Sequence, residues 1–316
     1  MKRRALLASL LFACSLWAPA ATAPWPERPI KVIVPFAAGT PADSVARIIA
    51  RALQKSLYQP VLVENRPGGD GVAAATFVKG APPDGYTLLF ATSSSLAAPL
   101  IQRNVGLEPL VDFAPISTVG GFPYAMFVNP KVPVRSAQEL VAYARSSKLS
   151  YGTANAGEHF AAAQLSKATG IEMTRVPYNT SPVSELAAGR IQLYIGPVSQ
   201  ALNESKSGRV RLLATLTSER TALTPTVPSL AEETLPVPPG NINHQMLLAP
   251  AKTPSDVVAK LAREVQAAVA IPAVRAELQG VSLVPRASSP GELARDLAEA
   301  NKLWRQFVIE AGLAAR

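Results

Sequence analysis

The chain has 316 residues, of which 48% are hydrophobic and 17% are charged, a composition that excludes a disordered protein. The formal net charge is +9, but the basic residues form no dense run, which excludes the basic face that nucleic-acid binding requires. The length fits one large or two medium domains.

The first residues have the order of a secretory signal peptide. Residues 2–4 are basic, residues 5–17 are apolar, and small residues follow up to Ala23. The apolar run is shorter than the roughly 20 residues that cross a bilayer, so an uncleaved membrane anchor is the disfavoured alternative. We predict that residues 1–23 are a cleaved signal peptide. The single cysteine, Cys14, is then removed, and with it disulfides and thiol chemistry.

Beyond this segment, strands and helices alternate. A β-branched run at 30–35 is followed by a helix with apolar residues at Val45, Ile48, Ile49, Ala52 and Leu53. Further buried-type strands are predicted at 61–63, 87–90, 124–128, 149–153, 174–176, 193–195, 212–214 and 246–248. The pairs Ser136 with Glu139 and Ser289 with Glu292 predict helix starts.

This alternation predicts an α/β protein with mostly parallel sheets flanked by helices. The number of strands favours two smaller sheets over one large sheet. The proline-rich stretch 224–240 reads as a surface excursion within the fold.

Three small, polar turns follow predicted strands, at 37–41, 92–95 and 153–157. Ligands of open parallel sheets bind beyond the carboxyl ends of the strands, where helix N-termini present unpaired N–H groups. We therefore predict that these turns bind an anionic ligand through their backbone.

Reactive side chains offer a weaker interpretation. A hydrolase would have to combine Ser93 or Ser95 with His159, but the sequence has no Gly-x-Ser-x-Gly elbow. The alternative for His159 is a capping or surface histidine. Clusters of His, Cys, Asp or Glu with metal-ligand spacing are absent from the sequence, so we predict no metal and no catalysis.

Two acids and one glycine-rich turn each allow two interpretations. Asp43 is expected to cap a helix or to shape the turn that faces a ligand. Glu158 either stabilises a helix N-terminus or accepts a hydrogen bond from a ligand amine or amide, and it would repel a ligand carboxylate. Residues 69–74 loosely imitate a dinucleotide fingerprint, but a turn chosen for tight geometry is favoured, so no cofactor is predicted.

Several motifs together resemble one family. They are WPERPIKVIVPF at 25–36, VENRPG at 63–68, PDGYTLL at 83–89, DFAPI at 112–116, VPY at 176–178, TVPS at 226–229 and LAPA at 248–251. This combination, spread over nearly all of the chain after residue 23, resembles the Bug-type periplasmic solute-binding proteins of tripartite tricarboxylate transporters.

The resemblance implies a periplasmic, monomeric, two-lobed Venus-flytrap protein. Lobe I would comprise residues 24–122 and 244–316, and lobe II residues 123–243. The family binds carboxylated metabolites in the cleft and delivers them to a membrane permease; a signalling receptor is the alternative partner. The residues implied for the ligand site are Phe36, Ala38, Gly39, Thr40 and Asp43 in the first loop, Thr153, Asn155, Gly157, Glu158 and His159 in the second, and Thr92, Ser93, Tyr178, Gly196, Pro197 and Val198 at other turns.

The chain departs from the family pattern in both loops. Pro41 removes one amide donor, Thr40 adds a side chain to a loop that is usually rich in glycine, and the second loop has gained Glu158. A monocarboxylate, an amide or a zwitterion therefore rivals a plain dicarboxylate as the expected ligand.

Overall fold

The structure, a computed structural model, describes residues 25–102 and 105–313, so the predicted signal peptide lies outside the described residues. The predicted alternation of strands and helices is present throughout these ranges. The strands are β1 Ile30–Val34, β2 Val61–Asn65, β3 Thr87–Thr92, β4 Phe113–Val128, β5 Leu149–Thr153, β6 Met173–Pro177, β7 Leu193–Pro197, β8 Arg211–Thr215, β9 Ile242–Pro250 and β10 Val284–Pro285.

Both predicted capping pairs lie at helix starts. The Ser136 side chain accepts the Glu139 N–H at 3.0 Å, and Ser289 forms a reciprocal capping box with Glu292. None of the helices in the described ranges is both long and apolar enough to cross a membrane. The helices are α1 Pro41–Leu57, α2 Val72–Lys79, α3 Ser93–Ala97, α4 Pro109–Asp112, α5 Ala137–Ala144, α6 Ala156–Thr169, α7 Val183–Ala188, α8 Val198–Lys206, α9 Ser255–Ala270, α10 Pro272–Gly280 and α11 Pro290–Glu310.

The strands form two sheets that share one long strand. In the first sheet β2, β1 and β3 are parallel, and β9 and the first half of β4 continue it antiparallel. In the second sheet β6, β5 and β7 are parallel, and β7 and β8 pair antiparallel with the second half of β4. Parallel pairing is thus confined to the outer strands, because β4 and β9 run between the sheets in opposite directions without a crossover helix.

Each sheet has a hydrophobic core of its own. Apolar residues of β1, β3, α1 and α9 pack together on the first sheet, with Ile30, Phe90, Val45 and Leu261 almost fully buried. A second core lies between β5, β7, α5 and α6. Burial of this apolar surface is the main term that stabilises each half.

The two halves also meet through an aromatic cluster. Phe160 of α6 stacks on Trp304 of α11 with ring centroids 4.3 Å apart, and Phe307 meets both rings edge-on. At the solvent edge of the same contact, Lys167 Nζ lies 3.0 Å from Glu310 Oε1. Among the described residues, the halves are therefore joined by β4 and β9, by the contact of α6 with α11, and by a contact of α3 with α6.

Candidate functional site

A cavity of about 280 Å³ lies between the two sheets. Four strand-to-helix junctions reach it, namely β1 to α1, β3 to α3, β5 to α6 and β7 to α8. Both loops implicated by the sequence therefore border the same space. The residues that line the cavity are Phe36, Thr40, Pro41, Ala42, Asp70, Thr92, Ser94, Ala98, Ile101, Gln102, Phe122, Asn155, Ala156, Pro197, Ser199, Gln200, Asn243 and Gln245.

The first loop is held in shape by a buried carboxylate. Of the two interpretations of Asp43, capping of α1 is wrong, because Thr40 occupies the cap position and accepts the Asp43 N–H at 3.3 Å. Its geometry agrees with the other interpretation, that it shapes the turn. The Asp43 carboxylate accepts hydrogen bonds from Gly39 N at 2.9 Å, Arg47 Nε at 2.9 Å and Asn65 Nδ2 at 2.8 Å. Burial acts to raise the pKa of Asp43, but these three bonds outweigh it, so the pKa lies below its ordinary value.

This arrangement separates the predicted first-loop residues into two groups. Phe36 and Thr40 line the cavity. Gly39 and Ala38 are exposed beside it, and the Gly39 N–H is already bound to Asp43. The N–H of Ala42, the second residue of α1, has no hydrogen-bond partner among the described residues and belongs to a residue that lines the cavity.

The β3-to-α3 junction presents one of its two predicted residues to the cavity. Thr92 caps α3 and lines the cavity. Ser93 faces the other way, where its Oγ accepts the His244 N–H at 3.2 Å, and it borders a second cavity of about 250 Å³. Gly157 also borders that second cavity, and a β-carbon there would lie 2.9 Å from the Tyr124 hydroxyl oxygen.

The second loop places Asn155 at the cavity and Glu158 behind it. Asn155 caps α6 by accepting the Glu158 N–H at 3.0 Å. Glu158 is 0% exposed, and its two oxygens accept the Ala154 N–H at 2.6 Å and the Tyr194 hydroxyl at 2.9 Å. Burial raises the pKa of Glu158 above its ordinary value despite these bonds.

His159 lies on the side of α6 that packs on α11. Its ring meets Phe307 edge-on at 5.0 Å, its Nδ1 has no hydrogen-bond partner in the described part of the chain, and burial lowers its pKa to about 4. The Ser95 hydroxyl is bonded within the α3 cap, and no described hydrogen bond joins His159 to Ser93 or Ser95. The hydrolase alternative therefore lacks its serine–histidine pair in this geometry.

Thr153 and Tyr178 support the second loop from outside the cavity. The Thr153 side chain accepts a hydrogen bond from Arg175 Nε at 3.0 Å, and its carbonyl accepts the Tyr178 N–H at 2.8 Å. Neither residue lines the cavity. Their contribution is to fix the end of β5 from which α6 departs.

The β7-to-α8 junction forms the opposite wall. Pro197, Ser199 and Gln200 line the cavity. Val198 is buried in the core behind it. Gly196 is needed for local packing, because a β-carbon there would overlap the Tyr194 hydroxyl. No side chain caps α8, so the first N–H groups of this helix have no partner among the described residues.

Several lining residues were not predicted. Ser199 and Gln200 directly follow Pro197 and Val198, which were predicted. Their position at a helix N-terminus could therefore have indicated from the sequence that they face the ligand. Gln245 is fully buried on β9 beside Thr92, and its Oε1 has no partner in the described ranges. Pro41, Ser94 and Ala156 also line the cavity and belong to the three predicted turns, although they were not named as site residues. The other unpredicted lining residues are Ala42, Asp70, Ala98, Ile101, Gln102, Phe122 and Asn243.

The electrostatic character of the cavity comes from its backbone. The N-termini of α1, α6 and α8, which are 17, 14 and 9 residues long, all border it. Each contributes a partial positive charge and unpaired N–H groups. Among the described residues that line the cavity, Asp70 carries the only charge. Such a site is suited to an anionic group held by amides and hydroxyls.

A sheet on each side of a cavity, two connecting strands and converging helix N-termini are the features of a two-lobed solute-binding protein. Comparison with known proteins agrees. Residues 45–313 match the family described as "Tripartite tricarboxylate transporter family receptor", so the chain belongs to this family. The resemblance of the sequence motifs to this family is thereby confirmed.

Individual relatives are similar over nearly their full length. Protein BugT of Bordetella pertussis is 31% identical over 316 residues, covering 98% of this chain and 97% of BugT. A Rhodopseudomonas palustris protein solved with adipate has 29% identity and a TM-score of 0.77, covering 92% of this chain and 99% of that one. MatC from the same organism, solved with bound malate, has 30% identity and a TM-score of 0.72, with coverages of 90% and 99%.

Proposed function

We propose that this protein captures a small organic acid or related metabolite in the cavity and delivers it to a membrane permease of the tripartite tricarboxylate type. The observation that carries this proposal is that three helix N-termini with unpaired N–H groups meet at one cavity. They come from the halves of both sheets. The adipate and malate in the two Rhodopseudomonas palustris structures support a carboxylate as the ligand class.

Ligand capture is proposed to close two lobes over the cavity. Lobe I comprises residues 24–122 and 244–316, and lobe II comprises residues 123–243. These bounds are supported by the point at which β4 and β9 cross between the sheets, where Tyr124 N donates to Asn241 O at 2.9 Å. A ligand drives such a hinge closure only if it binds the closed state better.

The proposed role is binding without chemistry. Contacts to the ligand are assigned to Phe36, Thr40, Thr92, Asn155 and Pro197, and support of the loops to Asp43, Thr153, Glu158 and Tyr178. The protein is further proposed to be exported by cleavage of residues 1–23 and to act as a periplasmic monomer. Light scattering and N-terminal sequencing of the exported protein test these last two points.

Thermal unfolding tests ligand capture. A ligand that binds only the folded protein raises its melting temperature by mass action. Adipate, malate, monocarboxylates, their amides and amino acids are added to the purified protein, and hits are measured by calorimetric titration. At least one carboxylate is expected to raise the transition; a screen in which no carboxylate changes it contradicts the proposal.

A charge placed at the α8 N-terminus tests the anion site. Ser199 and Ser184 are both the second residue of a helix that follows a proline cap, but only Ser199 lines the cavity. Ser199→Asp places a carboxylate where the ligand's own is expected and should weaken carboxylate binding about tenfold or more. Ser184→Asp, the matched control, should leave affinity unchanged. Equal affinities in the two variants would place the ligand elsewhere.

A further inference from the structure

The Tyr194 hydroxyl lies between two oxygen atoms that can accept its proton, and the second of them, Gln200 Oε1, also accepts from the Ser181 hydroxyl at 3.1 Å. It is 2.9 Å from Glu158 Oε1 and 2.7 Å from Gln200 Oε1. Glu158 and Tyr194 are both 0% exposed, whereas Gln200 lines the cavity. A buried carboxyl group is thus connected through one phenol to the wall of the ligand site.

Counting protons gives two arrangements in which both short contacts of the Tyr194 hydroxyl are hydrogen bonds, and the Ser181 hydroxyl can donate to Gln200 in the first and accept from it in the second. A phenol has one O–H and cannot donate to both neighbours. If Glu158 is protonated, it donates to the Tyr194 oxygen, Tyr194 donates to Gln200 Oε1, and the Gln200 amide N–H groups are left for the cavity. If Glu158 is ionised, Tyr194 donates to it, Gln200 turns its N–H groups to Tyr194, and its carbonyl faces the cavity.

We infer that Glu158, Tyr194 and Gln200 form a proton-linked relay, in which the protonation of Glu158 decides whether Gln200 offers a donor or an acceptor to the ligand. A carboxylate accepts hydrogen bonds only, so it selects the arrangement with protonated Glu158. Binding of a carboxylate therefore takes up a proton at Glu158. This inference rests on the proposed function, and it assigns Glu158 and Tyr194 as positioning residues.

The position of Glu158 in α6 acts in the same direction. Glu158 is the third residue of this helix, whose first N–H groups border the cavity. An ionised Glu158 satisfies that helix terminus internally and opposes a ligand carboxylate. Protonation removes this opposition, so both effects favour uptake of a proton on binding.

Of the ionisable groups packed around one another here, Glu158 is the one that changes its protonation state in the relay. Tyr194 from β7 and Tyr124 from β4 are buried, and burial raises the pKa of both phenols, so they remain protonated. His159 on the same helix has a pKa of about 4 and is neutral above it. Arg175 from β6 donates from Nε to the Thr153 hydroxyl oxygen at 3.0 Å.

The relay predicts how the affinity for a carboxylate depends on pH. Affinity for a carboxylate is highest where Glu158 is already protonated in the free protein. It falls as the pH rises through the pKa of Glu158, by up to about tenfold per pH unit, because one proton must then be taken up. Burial raises this pKa above its ordinary value, which moves the decline to higher pH.

The relay is tested first without ligand. The side-chain amide of Gln200 is followed by nitrogen NMR across pH, and its resonance is expected to titrate with the pKa of Glu158. The titration should disappear in Tyr194→Phe and in Glu158→Gln, whose side chain imitates the protonated acid. A Gln200 resonance that does not titrate in the wild type, or that titrates equally in Tyr194→Phe, overturns the relay.

Matched controls separate the relay from general effects of the substitutions. Glu139 is also the third residue of a helix and accepts the Arg135 N–H at 2.6 Å, as Glu158 accepts that of Ala154, but it does not line the cavity. Glu139→Gln and Tyr143→Phe should leave the Gln200 titration unchanged. Thermal unfolding establishes that each variant folds.

Calorimetric titration of adipate in two buffers of different ionisation enthalpy then measures proton uptake. Uptake approaching one proton is expected at pH values above the pKa that Glu158 has in the free wild-type protein, with none in Glu158→Gln. Binding with no uptake and no pH dependence overturns the inference and leaves the proposed function intact. If no carboxylate binds at any pH, the proposed function fails, and the Gln200 titration still decides whether the relay exists.

Discussion

Asp43 illustrates how a single buried residue determines the shape of the first ligand loop. It is 2% exposed and holds Gly39, Arg47 and Asn65 together through one carboxylate. Asn65 in turn donates to Phe36 O at 2.9 Å, which ties the start of the loop to the same group. An acid that the sequence suggests as a helix cap thus acts as the centre of a loop-fixing network.

The variant Asp43→Asn tests this network. An amide keeps one acceptor but loses the ion pair with Arg47, so we expect a loss of about 1–3 kcal/mol in the free energy of unfolding at neutral pH. Because the pKa of Asp43 is lowered in the folded state, its ionised form stabilises the fold above the ordinary pKa of 3.8, and this stabilisation is lost as the pH falls through the folded value.

Denaturant unfolding of wild type and variant at several pH values measures both effects. The difference between them should be largest at neutral pH and should narrow below about pH 4. Asp256→Asn is the control, because Asp256 is exposed in the first turn of α9 and makes no described side-chain hydrogen bond. A difference that does not change with pH would contradict the role of the ionised carboxylate.

At the scale of elements, the site is a product of strand-to-helix junctions. Each of β1, β3, β5 and β7 ends at the cavity, and the helix that follows begins there. The first N–H groups of a helix have no partner within the helix, so those that a cap side chain does not bind remain for a ligand. Helix placement, more than any reactive side chain, gives the cavity its affinity for anions.

The junction of β7 and α8 depends on a glycine. Tyr194 folds back over Gly196, and a β-carbon at Gly196 would overlap its hydroxyl. Gly196→Ala should therefore displace Tyr194 from Glu158 and Phe127, lowering the free energy of unfolding by about 1–3 kcal/mol. It should also weaken ligand binding.

Chemical denaturation and adipate titration of Gly196→Ala check this expectation. Gly280→Ala is the control, since no atom lies within 4 Å of its added β-carbon. The free energy of unfolding of Gly280→Ala should equal that of the wild type or be slightly higher. If Gly196→Ala has the same free energy of unfolding as the wild type, the Tyr194 ring moves aside without loss of stability, and the expectation is contradicted.

At the scale of the whole molecule, two sheets with separate cores are joined by few elements. In the described ranges the joining elements are β4, β9, the contact of α3 with α6, and the aromatic cluster of Phe160, Trp304 and Phe307. A hinge requires that few contacts cross between the moving parts. The cluster is therefore expected to determine whether the two halves unfold together.

Two phenylalanine variants distinguish this cluster from ordinary core packing. Phe160→Ala removes the stacking on Trp304, whereas Phe127→Ala removes a fully buried ring within the second sheet. Both should lower the free energy of unfolding by about 3–5 kcal/mol. Only Phe160→Ala should broaden or split the calorimetric transition, because it uncouples the halves. A single sharp transition in both variants would show that β4 and β9 suffice for coupling.

The sequence by itself determined those features that depend on neighbours along the chain. Hydrophobic periodicity predicted the alternation of strands and helices, and Ser136 and Ser289 marked helix starts three residues before their partners. Motif resemblance identified the family, and the turns at 37–41, 92–95 and 153–157 each reach a strand end at the cavity or beside it. Each of these signals is contained in a short stretch of residues.

Only the tertiary structure decided which side of each element faces the cavity. Three contacts join residues that are distant in sequence. Glu158 is buried against Tyr194, His159 packs on Phe307, and Gln245 lies beside Thr92. Such contacts depend on how β4 and β9 bring the two sheets together, and no local pattern of residues specifies that packing. The chemistry of the cavity wall is consequently a property of the assembled fold.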